Sequence, residues 1–226
     1  MISNFQTSVT EIQERVIEIG RGLQEANSLI LSALEDCNTE KFIEARGHIK
    51  NINAKSDEID NAIIKTLALY TPEASDLRRV IAYFKITNEL ARACSNTRSF
   101  IRGFTDVCKD VDVATINEYA VPMQTSTVAA TTLAVNMINC EDEDEIQELY
   151  NEVLIEESKT DDLYEMVERN LFVQADSSLS AQEGTQSFEK YHKMLRALRK
   201  SGKIASRAIA IANLLVYAKV GGNIRS

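Results

Sequence analysis

The sequence predicts an all-α protein built as two tandem three-helix bundles. Three observations support this fold class. Only two prolines and eight glycines occur in 226 residues, so the residues that punctuate short strands are scarce. Apolar residues recur at spacings of three and four, which is typical of amphipathic helices packed in bundles. The two halves of the chain also carry a similar pattern, which indicates a duplicated unit of three long helices.

Three helices are predicted in the first half. The first covers about residues 3–35, where apolar side chains alternate spacings of four and three. The second covers about residues 39–69, with Asn38 or Thr39 as its N-cap. The third begins at Thr71-Pro72, since proline is tolerated at the first helical position, and ends before a connection at residues 104–111. Its predicted buried seam consists of Leu77, Ile81, Phe84, Asn88, Ala91, Ser95 and Arg98.

Three more helices are predicted in the second half, over about residues 112–139, 142–172 and 188–218. Pro122 should kink the first of them or mark a late start. The acidic run at 141–145 lacks the glycine and ligand alternation of a calcium loop, so we interpret it as a solvated turn. Residues 177–187 are predicted to form a long loop, and Gly221-Gly222 to end the last helix.

Composition excludes some classes of function. The net charge of −9 argues against non-specific binding of nucleic acid. No stretch approaches the ~20 apolar residues of a membrane span, and the N-terminus is too charged for a signal peptide, so any membrane link should go through a partner. The cysteines lie far apart without a Cys-x-x-Cys motif, and we interpret them as structural thiols in a reducing cytoplasm, in preference to zinc ligands or disulfides. They are Cys37, Cys94, Cys108 and Cys140.

An internal repeat is visible in the polar interruptions of the helix seams. A shift of about 101 residues relates a pair of interrupting positions on the second predicted helix to a pair on the fifth. A shift of about 111 residues relates a pair on the third predicted helix to a pair on the sixth. The matched positions are Ser56 with Glu157, Asp60 with Asp161, Ala91 with Gly202, and Ser95 with Ser206. The expected domains are therefore residues 1–108 and residues 109–226.

Two stretches suggest a family. The sequence PEASDLRR at residues 72–79, followed by FKIT at 84–87, resembles the first-repeat signature of the PhoU family. GKIASRA at 202–208 resembles the second-repeat signature more weakly. The six-helix, two-repeat layout covers essentially the whole chain. The resemblance implies two three-helix bundles packed side by side.

The resemblance also implies a function. The chain would be a cytoplasmic regulatory adaptor, not an enzyme, that controls phosphate transport and phosphate-responsive signalling. Its partners would be a phosphate-transporter ATPase and a membrane sensor kinase, and it would form a homodimer without a required cofactor. Three alternatives stay open: a metal-binding helical bundle, a diverged adaptor for another transporter, and a coiled-coil scaffold. A ferritin-like centre would need a Glu-x-x-His pair on each of two helices, and the sequence has a single one, at residues 189–192.

PhoU-like proteins can hold iron or zinc clusters between carboxylates on facing helices, and this chain departs from that pattern. The third helix of each repeat would carry a Glu and an Asp four residues apart, but the matching positions are Ala91 and Ser95 in the first repeat and Gly202 and Ser206 in the second. Three carboxylates remain as candidate metal ligands: Asp60, Glu157 and Asp161. The alternative is a solvated or cation-paired face. In one form of this alternative, Arg98 supplies positive charge to Asp60. Arg199, Lys203 and Arg207 of the sixth predicted helix then supply it to Glu157 and Asp161.

Basic residues form the second candidate site. A docking surface for an acidic partner is one interpretation, and solvated side chains packed along their stems are the other. The candidate partner-binding residues are Arg78, Arg79, Arg199, Lys203 and Arg207. The only two histidines, His48 and His192, are expected at the surface or at its boundary. No glycine-rich phosphate loop, GxSxG or HExxH motif occurs.

Overall fold

The structure is a computed structural model that describes residues 2–176 and 181–221. Within these ranges the chain is helical, which confirms the all-α class. The helices are α1 (Ile2–Leu34), α2 (Thr39–His48), α3 (Ile52–Leu69), α4 (Ala74–Asp110), α5 (Val113–Asn136), α6 (Glu143–Asp176) and α7 (Ala181–Lys219). None of these helices has a stretch long and apolar enough to cross a membrane, as far as the described residues go.

The helices pack as two three-helix units side by side. In the first, α1 and α4 pack against each other and against the pair α2 and α3, which together take the place of the predicted second helix. In the second, α5, α6 and α7 pack against one another. The units meet along α4 with α7 and along α1 with α5, and one continuous apolar core runs through both.

A buried polar network ties three helices together across this junction. Gln124 of α5 donates from its Nε2 to the side-chain oxygen of Asn27 on α1, at 3.1 Å. Ser201 of α7 donates to Gln124 Oε1 at 2.8 Å and shares a 2.8 Å hydrogen bond with Thr127. All four residues are fully buried. Because each polar group has a partner, the network fixes the relative position of α1, α5 and α7 without an unpaired buried group.

The predicted second helix is interrupted at residues 49–51. Asn51 has φ 56°, in the left-handed region that asparagine tolerates better than most residues. Gly22 on α1 faces the end of α2, and a Cβ there would lie 2.6 Å from the carbonyl oxygen of His48. Glycine therefore lets α1 approach the helix break closely. Asn38 caps α2 as predicted, accepting from the backbone N–H of Glu40 at 3.0 Å.

The third predicted helix is longer than expected. It begins at Ala74, with Glu73 as its N-cap, and not at Thr71-Pro72, and it continues to Asp110. The predicted connection at residues 104–111 is wrong, because Phe104 and Val107 are fully buried and extend the apolar stripe of α4. Only residues 111–112 separate α4 from α5. The expected boundary between residues 108 and 109 thus falls inside α4, and the division into two domains stays a prediction.

The predicted buried seam of this helix is also wrong. Leu77 and Phe84 are 41% and 37% exposed. Helix α4 carries two apolar stripes, and the predicted one fades into polar residues halfway along. The buried stripe keeps apolar or threonine side chains along the whole helix, which lets it pack on α7 and on the first bundle at once. Its members include Val80, Tyr83, Thr87, Leu90, Cys94, Thr97, Ile101 and Phe104.

Two expectations about the second half also change. Helix α5 continues through Pro122 from a start at Val113, where Asp112 accepts from the N–H of Thr115 at 2.8 Å. Of the loop predicted at 177–187, residues 181–187 are helical, and 177–180 lie outside the described residues. Gly221 follows α7 with φ 95°, which glycine adopts readily, and Gly222 lies outside the described part.

The cysteines are not all free thiols. Cys37, in the turn after α1, is disulfide-bonded to Cys108, in the last turn of α4, with a Cα–Cα distance of 5.6 Å. Antiparallel packing brings these two ends together, and sequence spacing alone does not show it. Cys94 and Cys140 are free and buried, and burial raises the pKa of the Cys94 thiol to about 12. The expectation of thiols throughout is therefore corrected.

Candidate functional site

The first-repeat half of the candidate metal site lies on α3. Ser56 and Asp60 are one turn apart there and half-buried. Ser56 Oγ and Asp60 Oδ1 are both shielded from solvent, and neither has a hydrogen-bond partner. Burial raises the pKa of Asp60, and the neighbouring carboxylate of Asp57 raises it further. Within the part of the chain that the structure describes, no cation forms an ion pair with Asp60.

The second-repeat half is better satisfied. Glu157 on α6 accepts a hydrogen bond from Ser206 Oγ of α7 at 3.2 Å. Ser206 occupies one of the positions where the family pattern would place an acid, so a neutral donor has replaced a second carboxylate. Burial and then the charge of Asp161 raise the pKa of Glu157, and the Ser206 hydrogen bond opposes them. Asp161 itself is exposed.

These residues do not fit an iron or zinc cluster. Across the described ranges, no three His, Cys, Asp or Glu side chains come together in a group that could hold a metal ion. Structural zinc takes about four protein ligands, whereas α3 offers one carboxylate and one hydroxyl. The metal role of Asp60, Glu157 and Asp161 stays a prediction. Elemental analysis of protein purified without added metal tests it, and stoichiometric iron or zinc would support it.

The expected charge substitution does not take the form proposed from the sequence. Arg98 donates from Nη1 to the carbonyl oxygen of Ile49 at 3.3 Å, so it satisfies the C-terminal end of α2 and not Asp60. Arg207 forms a 2.8 Å ion pair with Glu89 of α4. That pair joins α7 to α4 across the two bundles, and both side chains are partly buried. Neither arginine is paired with a residual carboxylate of the metal face.

The five candidate partner-binding residues divide into two groups. Arg79 pairs with Glu141 at 3.4 Å, Arg207 with Glu89, and the guanidinium of Arg78 lies beside Gly221. Arg79 and Arg207 thus help to hold helix ends and bundles together, whereas Arg78 has no ion pair with any described residue and its Nε is shielded from solvent without a hydrogen-bond partner. Arg199 and Lys203 are exposed on α7 and have no ion pair with any described residue. The docking interpretation therefore applies best to these two.

Glu141 organises a small charged cluster at one end of the molecule. Besides Arg79, it accepts from Lys219 Nζ at 3.2 Å. The side chain of Lys219 is only 3% exposed, and its Nζ also donates to the carbonyl oxygens of Ile138 and Cys140. Burial lowers the pKa of Lys219, and Glu141 acts against that shift. The acidic run interpreted as a solvated turn thus has one member that anchors the end of α7.

Sequence reasoning missed that Arg102 of α4 joins cations of α7 in one cluster. It lies around Arg102, Arg196 and Lys200, which converge from two helices that are distant in sequence. The sequence itself shows a basic run on α7, formed by Lys193, Arg196, Arg199 and Lys200, but the proximity of this run to Arg102 depends on how α4 packs against α7. The spacing of Arg98 and Arg102 on one helix face was the available signal on α4.

The fold defines a class: an all-α protein of two three-helix units joined along their long helices. Residues 16–100, a little over a third of the chain, match the model of the PhoU domain. The predicted resemblance to the PhoU family is therefore confirmed on this segment.

Relatives agree with that assignment. The phosphate-specific transport system accessory protein PhoU homolog of Aquifex aeolicus is 34% identical over 82 residues, which is 36% of this chain and 37% of that protein. The alignment thus spans little more than a third of the relative's length.

Solved structures extend the likeness of fold to nearly the whole chain. The crystal structure of PhoU from Pseudomonas aeruginosa matches with a TM-score of 0.82 and 20% identity, over 96% of this chain and 100% of that chain. The phosphate transport system regulatory protein PhoU from Streptococcus pneumoniae matches with a TM-score of 0.77 and 18% identity, over 98% and 99%. At these identities the likeness shows the fold alone, and that fold is the one predicted.

Proposed function

We propose that this chain is a regulatory adaptor of phosphate transport and phosphate-responsive signalling, with no catalytic step of its own. The observation that carries the proposal is the PhoU domain at residues 16–100, set in a PhoU fold that extends over nearly the whole chain. The Aquifex relative is named as an accessory protein of a phosphate-specific transport system, and the Streptococcus structure as a transport regulator. Those descriptions support the same role here.

The adaptor would act in the cytoplasm as a homodimer, in contact with a phosphate-transporter ATPase and a membrane sensor kinase. Arg199 and Lys203 are the best candidates for the docking surface, because they are exposed and not used in an internal ion pair. Rim charges of this kind mainly set partner choice and association rate. Disulfides are rare in the cytosol, so the redox state of Cys37 and Cys108 in cells is a check on the proposed location.

Co-purification tests the adaptor role. The intact chain should retain the transporter ATPase and the sensor kinase of its host, and the double variant Arg199→Glu with Lys203→Glu should lose at least one of them. The matched control is Lys65→Glu with Lys85→Glu, which makes the same charge change at exposed lysines on α3 and α4. Retention of neither partner by the unmodified chain would defeat the proposal.

A second candidate is an adaptor for a different transporter. The observation in its favour is the loss of all four carboxylates from the third helix of each repeat, replaced by Ala91, Ser95, Gly202 and Ser206. Co-purification of another transporter ATPase, with the phosphate transporter absent, would favour this candidate over the first.

A further inference from the structure

A cleft of about 350 Å³ lies between α4 and α7. Its floor is made of small residues where the two helices come close together. A Cβ at Gly103 would lie 3.0 Å from the Cβ of Ala197, so the glycine permits the close approach. Because neither floor residue projects a long side chain, the space above them stays open between the longer side chains on either rim.

The rims of the cleft are cationic. Arg102 projects from α4, and Lys193, Arg196 and Lys200 project from α7 at spacings of three and four, which places them on one helix face. Asp106 is the one acidic residue in the lining. The chain as a whole carries a net charge of −9, so this concentration of positive charge runs against its composition.

Two aspartates at the cleft are each paired with a lysine. Asp106 accepts from Lys109 at 3.0 Å, and Asp110 forms a 3.1 Å ion pair with Lys193. Arg102, Arg196 and Lys200 have no hydrogen bond or ion pair with any described residue. Three unneutralised cations thus border one cavity. Like charges held together repel, and a bound anion relieves that repulsion while gaining attraction from each of them.

The shape and chemistry of the cleft select among anions. Two guanidinium groups suit phosphate oxygens, which they can bind through paired N–H donors, and a lysine adds a point charge. Three cations from opposite rims match a ligand with several linked phosphate groups better than they match a single phosphate ion. The lining contains no aromatic ring, so it offers no stacking platform for a nucleobase.

We propose that the cleft between α4 and α7 binds a compact chain of linked phosphates, of the size of pyrophosphate or triphosphate. The same chemistry could come from free inorganic triphosphate or from the phosphate chain of a nucleotide. This site goes beyond the proposed adaptor role and does not depend on it. Loss of phosphate-chain binding would leave the contacts with a transporter or a kinase untouched.

Calorimetric titration of the full chain with inorganic triphosphate at low ionic strength tests the site. Binding should be measurable, weaken as salt is raised, and weaken about tenfold or more in Arg102→Gln and in Arg196→Gln, since each removes a charge-assisted hydrogen bond. The matched control is Arg92→Gln, an exposed arginine on α4 outside the cleft, which should bind as the unmodified chain does. Circular dichroism confirms that each variant is folded.

Titration with ATP distinguishes the sources of the ligand. Affinity for ATP equal to or below that for triphosphate supports recognition of the phosphate chain alone. Much tighter ATP binding would overturn the inference that the base is not recognised. No binding of triphosphate at millimolar concentration, or an equal loss in Arg92→Gln, would overturn the site itself and leave an acidic protein segment as the occupant to seek.

Discussion

Reduction of the Cys37–Cys108 disulfide should lower the stability of the protein by a large and calculable amount. The bond joins residues 71 apart in sequence, so it closes a loop that contains α2, α3 and most of α4. In the chain-entropy account, a loop of this length restricts the unfolded state by about 4 kcal/mol at 25 °C. Single domains are typically stable by about 5–15 kcal/mol, so the effect should be plain in any unfolding curve.

The assay is urea unfolding of the oxidised chain with and without a reductant. The midpoint should fall on reduction, and the double variant Cys37→Ser with Cys108→Ser should unfold near the reduced midpoint and not respond to the reductant. Thiol titration of the unfolded, unreduced protein should find two reactive groups, Cys94 and Cys140, which are the free cysteines of the described chain. Four reactive thiols before reduction, or a midpoint that does not move, would refute the reasoning.

Three other predictions follow from the packing. Gly22→Ala should destabilise the fold by about 1–3 kcal/mol, because the new Cβ would lie 2.6 Å from a carbonyl oxygen at the end of α2. Gly47→Ala should stabilise the fold by about 0.5–1 kcal/mol, because a Cβ there meets nothing within 4 Å. Thermal unfolding of both variants and the unmodified chain measures the two changes. Ser201→Ala should cost about 1–3 kcal/mol, because Gln124 loses its donor in a fully buried setting; an unchanged unfolding midpoint would contradict this. The pKa of Glu157 is raised in the folded state above its usual 4.5. At pH values where this carboxyl is ionised, its charge therefore lowers the free energy of unfolding, and protonation at lower pH removes that destabilisation. Glu157→Gln should therefore become more stable relative to the unmodified chain as pH rises from about 4 to 7, and a constant difference in the free energy of unfolding would contradict the assignment.

Much of the fold was predictable because helix signals are local. The N-cap at Asn38, the long apolar stripes and the near absence of strand punctuation each act within a few residues. Features that depend on which face of a helix packs against which neighbouring helix were not predictable in this way. Leu77 and Phe84 belong to a stripe that is as apolar, over the first turns of α4, as the stripe that is buried. Only the packing of α4 on α7 determines which of the two stripes is buried.

The candidate site shows the same division. The sequence showed that four expected metal-ligating carboxylates are missing, because their positions follow from the spacing within one helix. It did not show that Arg98 serves the end of α2, or that Arg207 pairs with Glu89 of the other unit. Both partners lie far away in sequence, as does Cys108 from Cys37, and the α7 cations that share a cleft with Arg102 are equally distant. Tertiary proximity is a property of the packed helices, which no spacing within one helix encodes.

Phosphate uptake by the host organism tests the central claim most directly. Uptake should be compared between cells that lack the chain, cells in which the unmodified chain is restored, and cells that carry the Arg199→Glu, Lys203→Glu variant. A regulatory adaptor predicts that loss of the chain changes uptake, that the unmodified chain restores it, and that the double variant does not. Uptake that is the same in all three strains, over low and high external phosphate, would contradict the account.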